Sequence, residues 1–202
     1  MATTEVLSAA AQKHFAALHS KKVALRERAI PALAALKPPP LAALRKMAEN
    51  SSSVIERRCS FEVLRRLKDR SVPNLAAKGV RDPNVSVRRV AIAALRDLEP
   101  RKSVALILPL LKDASGGVRV LAATVLGDLG QRQAVPALVR ALRDEKWYVR
   151  QMAAESLGLI GHPSAKTALG RSASDGRACV ARAAQEALVK IEARSPRMRA
   201  SR

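Results

Sequence analysis

The chain has 202 residues, of which 48% are hydrophobic but only 2% are aromatic. Alanine and leucine dominate the apolar residues and favour helices, whereas strands favour β-branched and aromatic residues, so the composition predicts an all-α protein. Lysine and arginine number 37 against 17 acidic residues, which gives a net formal charge of +20. This excess predicts attraction to acidic proteins or polyanions, unless it reflects biased codon usage alone.

The sequence carries no sign of a membrane or secretory segment. No apolar run of about 18 residues occurs, as a transmembrane helix would require. The stretch MATTEVLSAAAQKHFAAL lacks the basic start and unbroken apolar core of a secretory signal. Cys59 and Cys179 are too few and too distant in sequence for a disulfide framework. We therefore expect a cytoplasmic protein with no membrane partner.

Apolar residues at helical spacing occur in paired segments along the chain. In chain order, the first segments of the pairs are residues 5–19, 40–49, 71–82, 103–113, 134–144 and 164–175. Three of the second segments, VRRVAIAALRDL (87–98), VRVLAATVLGDL (118–129) and VRQMAAESLGLI (149–160), align at a spacing of 31 residues. One column of this register reads Leu33, Leu64, Leu95, Leu126, Leu157 and Leu188, and a second reads Ala29, Ser60, Ala91, Ala122, Ala153 and Ala184. The pattern predicts twelve helices in six pairs.

Turn residues punctuate the repeats. The turns between paired helices are marked by aspartates: Asp82, Asp113, Asp144 and Asp175. A short acceptor there could bond free backbone N–H groups at the start of the second helix. Pro83 fits the first turn of such a helix because it lacks an N–H. Gly130 and Gly161 are predicted to end second helices in a left-handed conformation.

An arginine also recurs at one position per repeat: Arg26, Arg57, Arg88, Arg119 and Arg150. A residue that returns in successive repeats is expected to serve their stacking. We predict that each of these arginines pairs with the turn aspartate of its own or the neighbouring repeat. Trp147, which lies near Arg150, is expected to pack in the turn between helices.

The pattern DxxxxVRxxAxxxLxxL, followed by a short loop and AVPAL, resembles the HEAT-like repeat of the phycobilisome-lyase type over about residues 20–193. The resemblance implies an α-solenoid. We predict that residues 1–193 form one such domain and that residues 194–202, RSPRMRASR, form a basic disordered tail. These repeats occur in bilin lyase subunits and in many binding scaffolds, so the resemblance does not fix the function.

Residues that could support catalysis are scattered. His162 lies far from His14 and His19 in the sequence. No HExxH motif occurs, no cysteine lies near a histidine, and the two cysteines do not have the spacing of zinc ligands. No glycine-rich phosphate loop occurs. We therefore predict that the protein is not an enzyme, and we predict no catalytic residue, metal site or cofactor.

Surface arginines give the main sign of a binding site. On the second helices of repeats two and three, the positions that point away from the core hold Arg58, Arg65, Arg89 and Arg96, flanked by Arg66. Glu62 is the only acid expected to oppose them. The resemblance implies that this side lines the concave surface of a solenoid. We predict a basic groove there, with a neutral end where Gly127 and Gly158 occupy the column of Arg96.

Three functions fit these observations. The first is a non-catalytic scaffold whose groove binds an acidic protein or peptide, with Tyr148 at a turn edge as a further partner contact. The second is binding to nucleic acid through backbone phosphates, since the few aromatic residues leave no stacking platform for single strands. The third is a bilin-lyase-like enzyme subunit, which only the resemblance implies. The alternative to any site is a charged face that is merely solvated. We expect a monomer.

Overall fold

A computed structural model describes residues 7–194 of the protein, apart from the side chains of residues 101 and 102. Within this range all of the regular secondary structure is helical. The α-helices are α1 (Ala9–Leu18), α2 (Val23–Ala35), α3 (Leu41–Asn50), α4 (Val54–Arg66), α5 (Val72–Gly79), α6 (Val85–Leu98), α7 (Pro100–Ile107), α8 (Gly116–Asp128), α9 (Val135–Ala141), α10 (Trp147–Ile160), α11 (Lys166–Ser172) and α12 (Ala178–Ala193). Short 3₁₀ segments cover Leu108–Lys112, Arg132–Ala134 and Pro163–Ala165.

The helices cluster into two compact units that divide between Glu99 and Pro100. In the first unit α1 packs against α2, α3 against α4, and α5 against α6, while α4 lies beside both α2 and α6. In the second unit α9 packs against α10 and α11 against α12, while α10 lies beside both α8 and α12. The remaining pair joins α7 and the 3₁₀ segment Leu108–Lys112 to α8. Each unit is a stack of helix pairs.

This arrangement confirms the predicted all-α, α-solenoid fold with six helix pairs at a 31-residue period. The single domain predicted over residues 1–193 stays a prediction. So does the basic tail, of which residues 195–202 lie outside the described part of the chain.

The repeat columns form the core. Leucines of the first column are at most 1% exposed from Leu33 to Leu157, and Leu188 in the last helix is half-buried. The small residues of the second column are at most 2% exposed. Cys59 is fully buried, as a core residue, whereas Cys179 is half-buried. Small residues in one column and leucines in the other therefore let neighbouring helices approach and interlock.

The helix ends differ in part from the prediction. Asp82 accepts a hydrogen bond from the backbone N–H of Asn84, at 2.8 Å, one residue before α6 begins. The side chain of Asn84 is the one that caps α6, by accepting from the N–H of Ser86 at 2.9 Å. Pro83 therefore precedes the helix, and its predicted place in the first turn is wrong. Gly130 and Gly161 follow α8 and α10 with φ of +61° and +71°, as predicted for left-handed helix ends.

Candidate functional site

The recurring arginines form a ladder between repeats. Arg57, Arg119 and Arg150 each donate two hydrogen bonds to the turn aspartate 25 residues later. For Arg119 these bonds join Nε to Oδ2 of Asp144 at 2.7 Å and Nη2 to Oδ1 at 2.8 Å. Its Nη1 donates to the carbonyl oxygen of Asp113, in its own turn, at 2.9 Å. The guanidinium thus joins its own turn to the next one, and the predicted pairing with the aspartate of a neighbouring repeat is confirmed for these three arginines. For Arg26 it is wrong, because Ser51 stands in place of the aspartate and Nη1 of Arg26 donates to carbonyl oxygens of its own turn.

The ion pairs of the ladder favour the charged forms of both the arginines and the aspartates. The hydrogen bond to Asp144 raises the pKa of Arg119 against the effect of burial. Burial raises the pKa of Asp82, but hydrogen bonds from Arg57 and the N–H of Asn84 outweigh it and hold that pKa below its ordinary value. Arg119 is also almost buried, with 9% of its side chain exposed. Four of the five N–H donors of Arg119 are engaged within the protein, which leaves little for a partner.

The predicted site arginines lie on two adjacent helices of the first unit. Arg58, Arg65 and Arg66 belong to α4, and Arg89 and Arg96 belong to α6, which packs beside α4. We call this set of five residues the arginine face. The structure brings the five together on neighbouring helices. Tyr148 belongs to the second unit.

Two carboxylates hold part of the arginine face in place. Glu62 accepts from Nη2 of Arg65 at 2.7 Å and from Nε of Arg66 at 3.1 Å. Asp97 accepts from Nη1 of Arg65 at 2.5 Å and from Nε of Arg96 at 2.9 Å. The expectation that Glu62 alone opposes the arginines is therefore wrong. Asp97 was missed because its role depends on how far Arg65 reaches across to α6, which a helical wheel of one helix does not show.

The carboxylates of the face remain charged. Burial raises the pKa values of Glu62 and Asp97, but hydrogen bonds from the arginines outweigh this and lower both values overall. The pKa of Arg65 is raised, chiefly by its hydrogen bond to Glu62. Five arginines against two carboxylates leave the face with a formal charge of +3.

Arg58 and Arg89 carry the uncompensated charge. Arg89 is exposed and forms no ion pair with any residue in the described range. Arg58 is half-exposed, and its Nη2 lies 3.5 Å from Sγ of Cys59, which is a weak acceptor. The two residues are 31 positions apart and so occupy equivalent places on α4 and α6. They are the members of the face that form no ion pair with a residue in the described range.

The small residues of the second unit have a packing role. Gly127 and Gly158 are buried, and a Cβ at Gly127 would lie 2.7 Å from Cβ of Ser156 on the neighbouring helix α10. A Cβ at Gly158 would lie 2.9 Å from Cβ of Ala187 on α12. The expectation that these glycines line the neutral end of an open groove is wrong, because the second helices approach one another closely here.

Trp147 and Tyr148 lie together at the start of α10. Their ring centroids are 5.6 Å apart, with an 80° angle between the planes. Tyr148 is 37% exposed, and its hydroxyl would be 2.6 Å from a Cβ at Gly116, so its ring covers the start of α8. Trp147 is 41% exposed, more than the predicted packing in the turn implies. Both rings therefore present an exposed edge.

Other kinds of site are not found in the described range. Residues 7–194 contain no group of three or more histidine, cysteine or acidic side chains that could hold a metal ion. None of the helices in that range is both long enough and apolar enough to span a bilayer.

Comparison with known proteins gives the same architecture. The family profile for HEAT repeats matches residues 72–131 and 104–189, which together make up more than half of the chain. No sequence among the curated proteins matches the chain.

Solved structures share the fold at low sequence identity. A designed armadillo repeat protein in complex with the peptide (KR)4 is 17% identical, with a TM-score of 0.64 over 91% of this chain and 100% of that one. The YibA protein of Escherichia coli is 17% identical, with a TM-score of 0.60 over 92% and 82% of the two chains. An engineered protein is 16% identical, with a TM-score of 0.60 over 91% and 98%. These likenesses show the fold, and the profile match shows the family. The chain belongs to the HEAT repeat family.

Proposed function

We propose that the protein is a non-catalytic binding scaffold whose arginine face binds an acidic segment of a peptide or protein. The observation that carries this proposal is the net positive charge of the face together with the free donors of Arg58 and Arg89. Guanidinium groups suit carboxylates because two parallel N–H donors match the two oxygens.

The repeat geometry favours an extended ligand. Packed helices lie about 8–10 Å apart, so Arg58 and Arg89 should repeat at that distance. A peptide in the polyproline II conformation has three residues per turn and advances about 3.1 Å per residue, so acidic residues three positions apart lie on one face, about 9 Å apart, and would match both arginines. The designed armadillo protein noted above binds a basic peptide. The arginine face of this chain is basic, and the ligand that we propose is acidic.

The ion-paired arginines prepare the face for binding. Glu62 and Asp97 hold Arg65 between α4 and α6, with 27% of its side chain exposed. A ligand therefore meets arginines whose side chains are already ordered, which lowers the entropy cost of binding. Arg66 and Arg96, 46% and 41% exposed, can still contact a carboxylate at the edge of the face.

A charge-matched pair of variants tests the proposal. In Arg58→Glu/Arg89→Glu both free arginines of the face are reversed, and in Arg132→Glu/Arg171→Glu two exposed arginines of the second unit are reversed instead. Binding of a fluorescein-labelled (Glu-Asp)4 peptide is measured by fluorescence anisotropy at several salt concentrations. We expect the first variant to weaken binding about tenfold or more and the second less than about threefold.

The outcomes separate the candidate functions. Equal losses in the two variants would mean that only the total charge matters, and the scaffold proposal would fail. Nucleic acid would replace the acidic peptide as the ligand if duplex DNA bound more tightly than (Glu-Asp)4 and its salt dependence became shallower in the first variant alone. A chromophore that purifies with the protein would instead favour the bilin-lyase-like subunit.

We also propose that the repeats are of the phycobilisome-lyase type and that residues 1–193 form one domain. We further propose that the chain is a cytoplasmic monomer and that Tyr148 contacts a partner. The 31-residue period supports the repeat type, and the exposed edge of Tyr148 supports the contact. Light scattering coupled to size-exclusion chromatography tests the monomer, with a dimer mass as the contrary result.

A further inference from the structure

A cleft of about 750 Å³ lies in the second unit, between the 3₁₀ segment Leu108–Lys112 and α9. Its apolar lining includes Leu108, Leu111, Pro136 and Ala137. The equivalent cleft one repeat later, between α9 and α11, measures only about 220 Å³. All seven of its lining residues are those of the first cleft moved on by 31 positions. A cleft of this size is therefore not a property of every repeat.

The sequence supplies a reason for the difference. Pro109 has no backbone N–H and cannot give the hydrogen bond that continues an α-helix. Accordingly α7 ends at Ile107 and the chain continues as a tighter 3₁₀ turn. The equivalent residue of the next repeat is Arg140, which lies within α9. We attribute the extra volume to this substituted turn.

The charged side chains around the cleft differ in whether they already form ion pairs within the protein. Asp144 is held by Arg119 and by the N–H of Lys146. Glu145 is exposed, with its Oε1 3.6 Å from Nη2 of Arg119 and 3.9 Å from Nζ of Lys146. Two cations of the lining, Lys112 and Arg140, are exposed and form no ion pair with a residue in the described range. The lining is neutral overall, with Lys112, Arg119 and Arg140 against Asp113, Asp144 and Glu145. Its two cations without an ion pair therefore supply the donors for an anionic group of a ligand.

We propose that this cleft binds an apolar side chain of a peptide together with a carboxylate next to it. The apolar lining takes the side chain, and Arg140 and Lys112 pair with the carboxylate. Gln133, also in the lining, offers both a donor and an acceptor to the peptide backbone. A plain hydrocarbon chain fits less well, because it would remove water from the charged lining groups without replacing their hydrogen bonds.

Two labelled peptides test the proposal on the full-length protein. The probe is fluorescein-Gly-Asp-Leu-Asp-Leu-Asp-Gly, and its control has serine in place of both leucines. Both carry the same charge, so attraction to the arginine face is common to the two. We expect the leucine probe to bind about tenfold more tightly, since it alone buries apolar side chains. Equal affinities would overturn the proposal.

Matched variants locate the binding. Arg140→Glu reverses a cation of the large cleft, and Arg171→Glu reverses the equivalent exposed cation beside the small cleft. We expect the first to weaken the leucine probe about fivefold or more and the second less than about twofold. The filling variant Ala137→Leu should weaken the leucine probe while leaving the serine control unchanged. Circular dichroism confirms that each variant is folded.

The remaining outcomes are decisive. Equal losses in Arg140→Glu and Arg171→Glu would reduce the effect to total charge and overturn the proposal. Binding of decanoate that depends on Arg140, without any advantage of the leucine over the serine peptide, would assign the cleft to a hydrocarbon ligand instead. In Arg58→Glu/Arg89→Glu, the preference for leucine should persist, so this proposal and that of the arginine face fail independently.

Discussion

The arginine ladder shows how one side chain can join two repeats. Each guanidinium spans from the carbonyl groups of its own turn to the carboxylate of the next turn, as Arg150 does from Asp144 to Asp175. A lysine could not replace it, because an ammonium group lacks the planar set of donors that reaches both partners. The same aspartate accepts a backbone N–H two residues on, so loss of one carboxylate loosens both a turn and a junction.

Replacement of Asp175 by asparagine tests the ladder. The hydrogen bond from Arg150 lowers the pKa of Asp175, so the folded protein holds a proton there less readily than the unfolded chain. The pair therefore stabilises above the ordinary aspartate pKa of about 3.9, and this contribution is lost as the pH falls below it. At pH 7 we expect Asp175→Asn to lower the free energy of unfolding by about 1–3 kcal/mol.

Chemical denaturation over a pH series makes this measurement. The difference from wild type should shrink below about pH 4. Asp128→Asn removes the same charge from an exposed residue that forms no ion pair in the described range, and should change stability by less than about 0.5 kcal/mol. The assigned pairing would be contradicted if both variants lost a similar free energy of unfolding, or if the difference between Asp175→Asn and wild type grew as the pH fell.

At the scale of helices, the distance between neighbouring helices decides at which positions a side chain larger than glycine has room. Gly127 faces Ser156 across the α8–α10 contact, and Oγ of Ser156 donates to the carbonyl oxygen of Ala123 at 2.8 Å. Gly170 on α11, in contrast, has no atom of another part of the molecule within 4 Å of where its Cβ would lie. The two glycines therefore predict opposite effects of the same substitution.

Gly127→Ala should destabilise the protein by about 1–3 kcal/mol, because the added methyl group meets the backbone of α10. Gly170→Ala should stabilise it by about 0.5–1 kcal/mol through helix propensity alone. Urea unfolding of the two variants provides the comparison. Stabilisation by both substitutions would show that α8 and α10 are not in close contact at Gly127.

The helices followed from the sequence more readily than their contacts did. The leucine and alanine columns predicted the second helices and their buried faces, since burial follows the 3.6-residue period. The packing of Gly127, the reach of Arg65 to Asp97 and the 3₁₀ turn at Pro109 escaped prediction. Each depends on the distance between two helices or on a break in regular geometry, and a column of aligned residues records neither.

At the scale of the whole molecule, the helices of each unit contact one another chiefly within a pair and between neighbouring pairs. In such repeat proteins stability is close to a sum of the repeats and their interfaces. Leu126 of α8 is fully buried, and α8 packs against α10. Loss of packing at Leu126 should therefore destabilise the neighbouring helix pair as well as its own.

We expect Leu126→Ala to cost about 2–5 kcal/mol. Amide hydrogen exchange, followed by mass spectrometry, should become faster in α8 and in α10. Leu159→Ala is the control, because Leu159 lies on α10 but is 43% exposed, and exchange there should stay close to wild type. Faster exchange confined to α8 would mean that the repeats of this unit unfold independently.

The ladder also sets which changes of length the chain tolerates. A segment that runs from Asp144 to Ser174 starts with the carboxylate that Arg119 requires and contains Arg150, whose partner is the next residue after the segment, Asp175. A second copy of this segment inserted in frame would find a partner for both of its ends, with Arg150 of the first copy meeting the aspartate of the second. An insertion within a helix that is not a whole number of such segments would separate an arginine from its carboxylate. The chain can therefore accept whole additional repeats, and the spacing of its ion pairs sets the length of each added repeat.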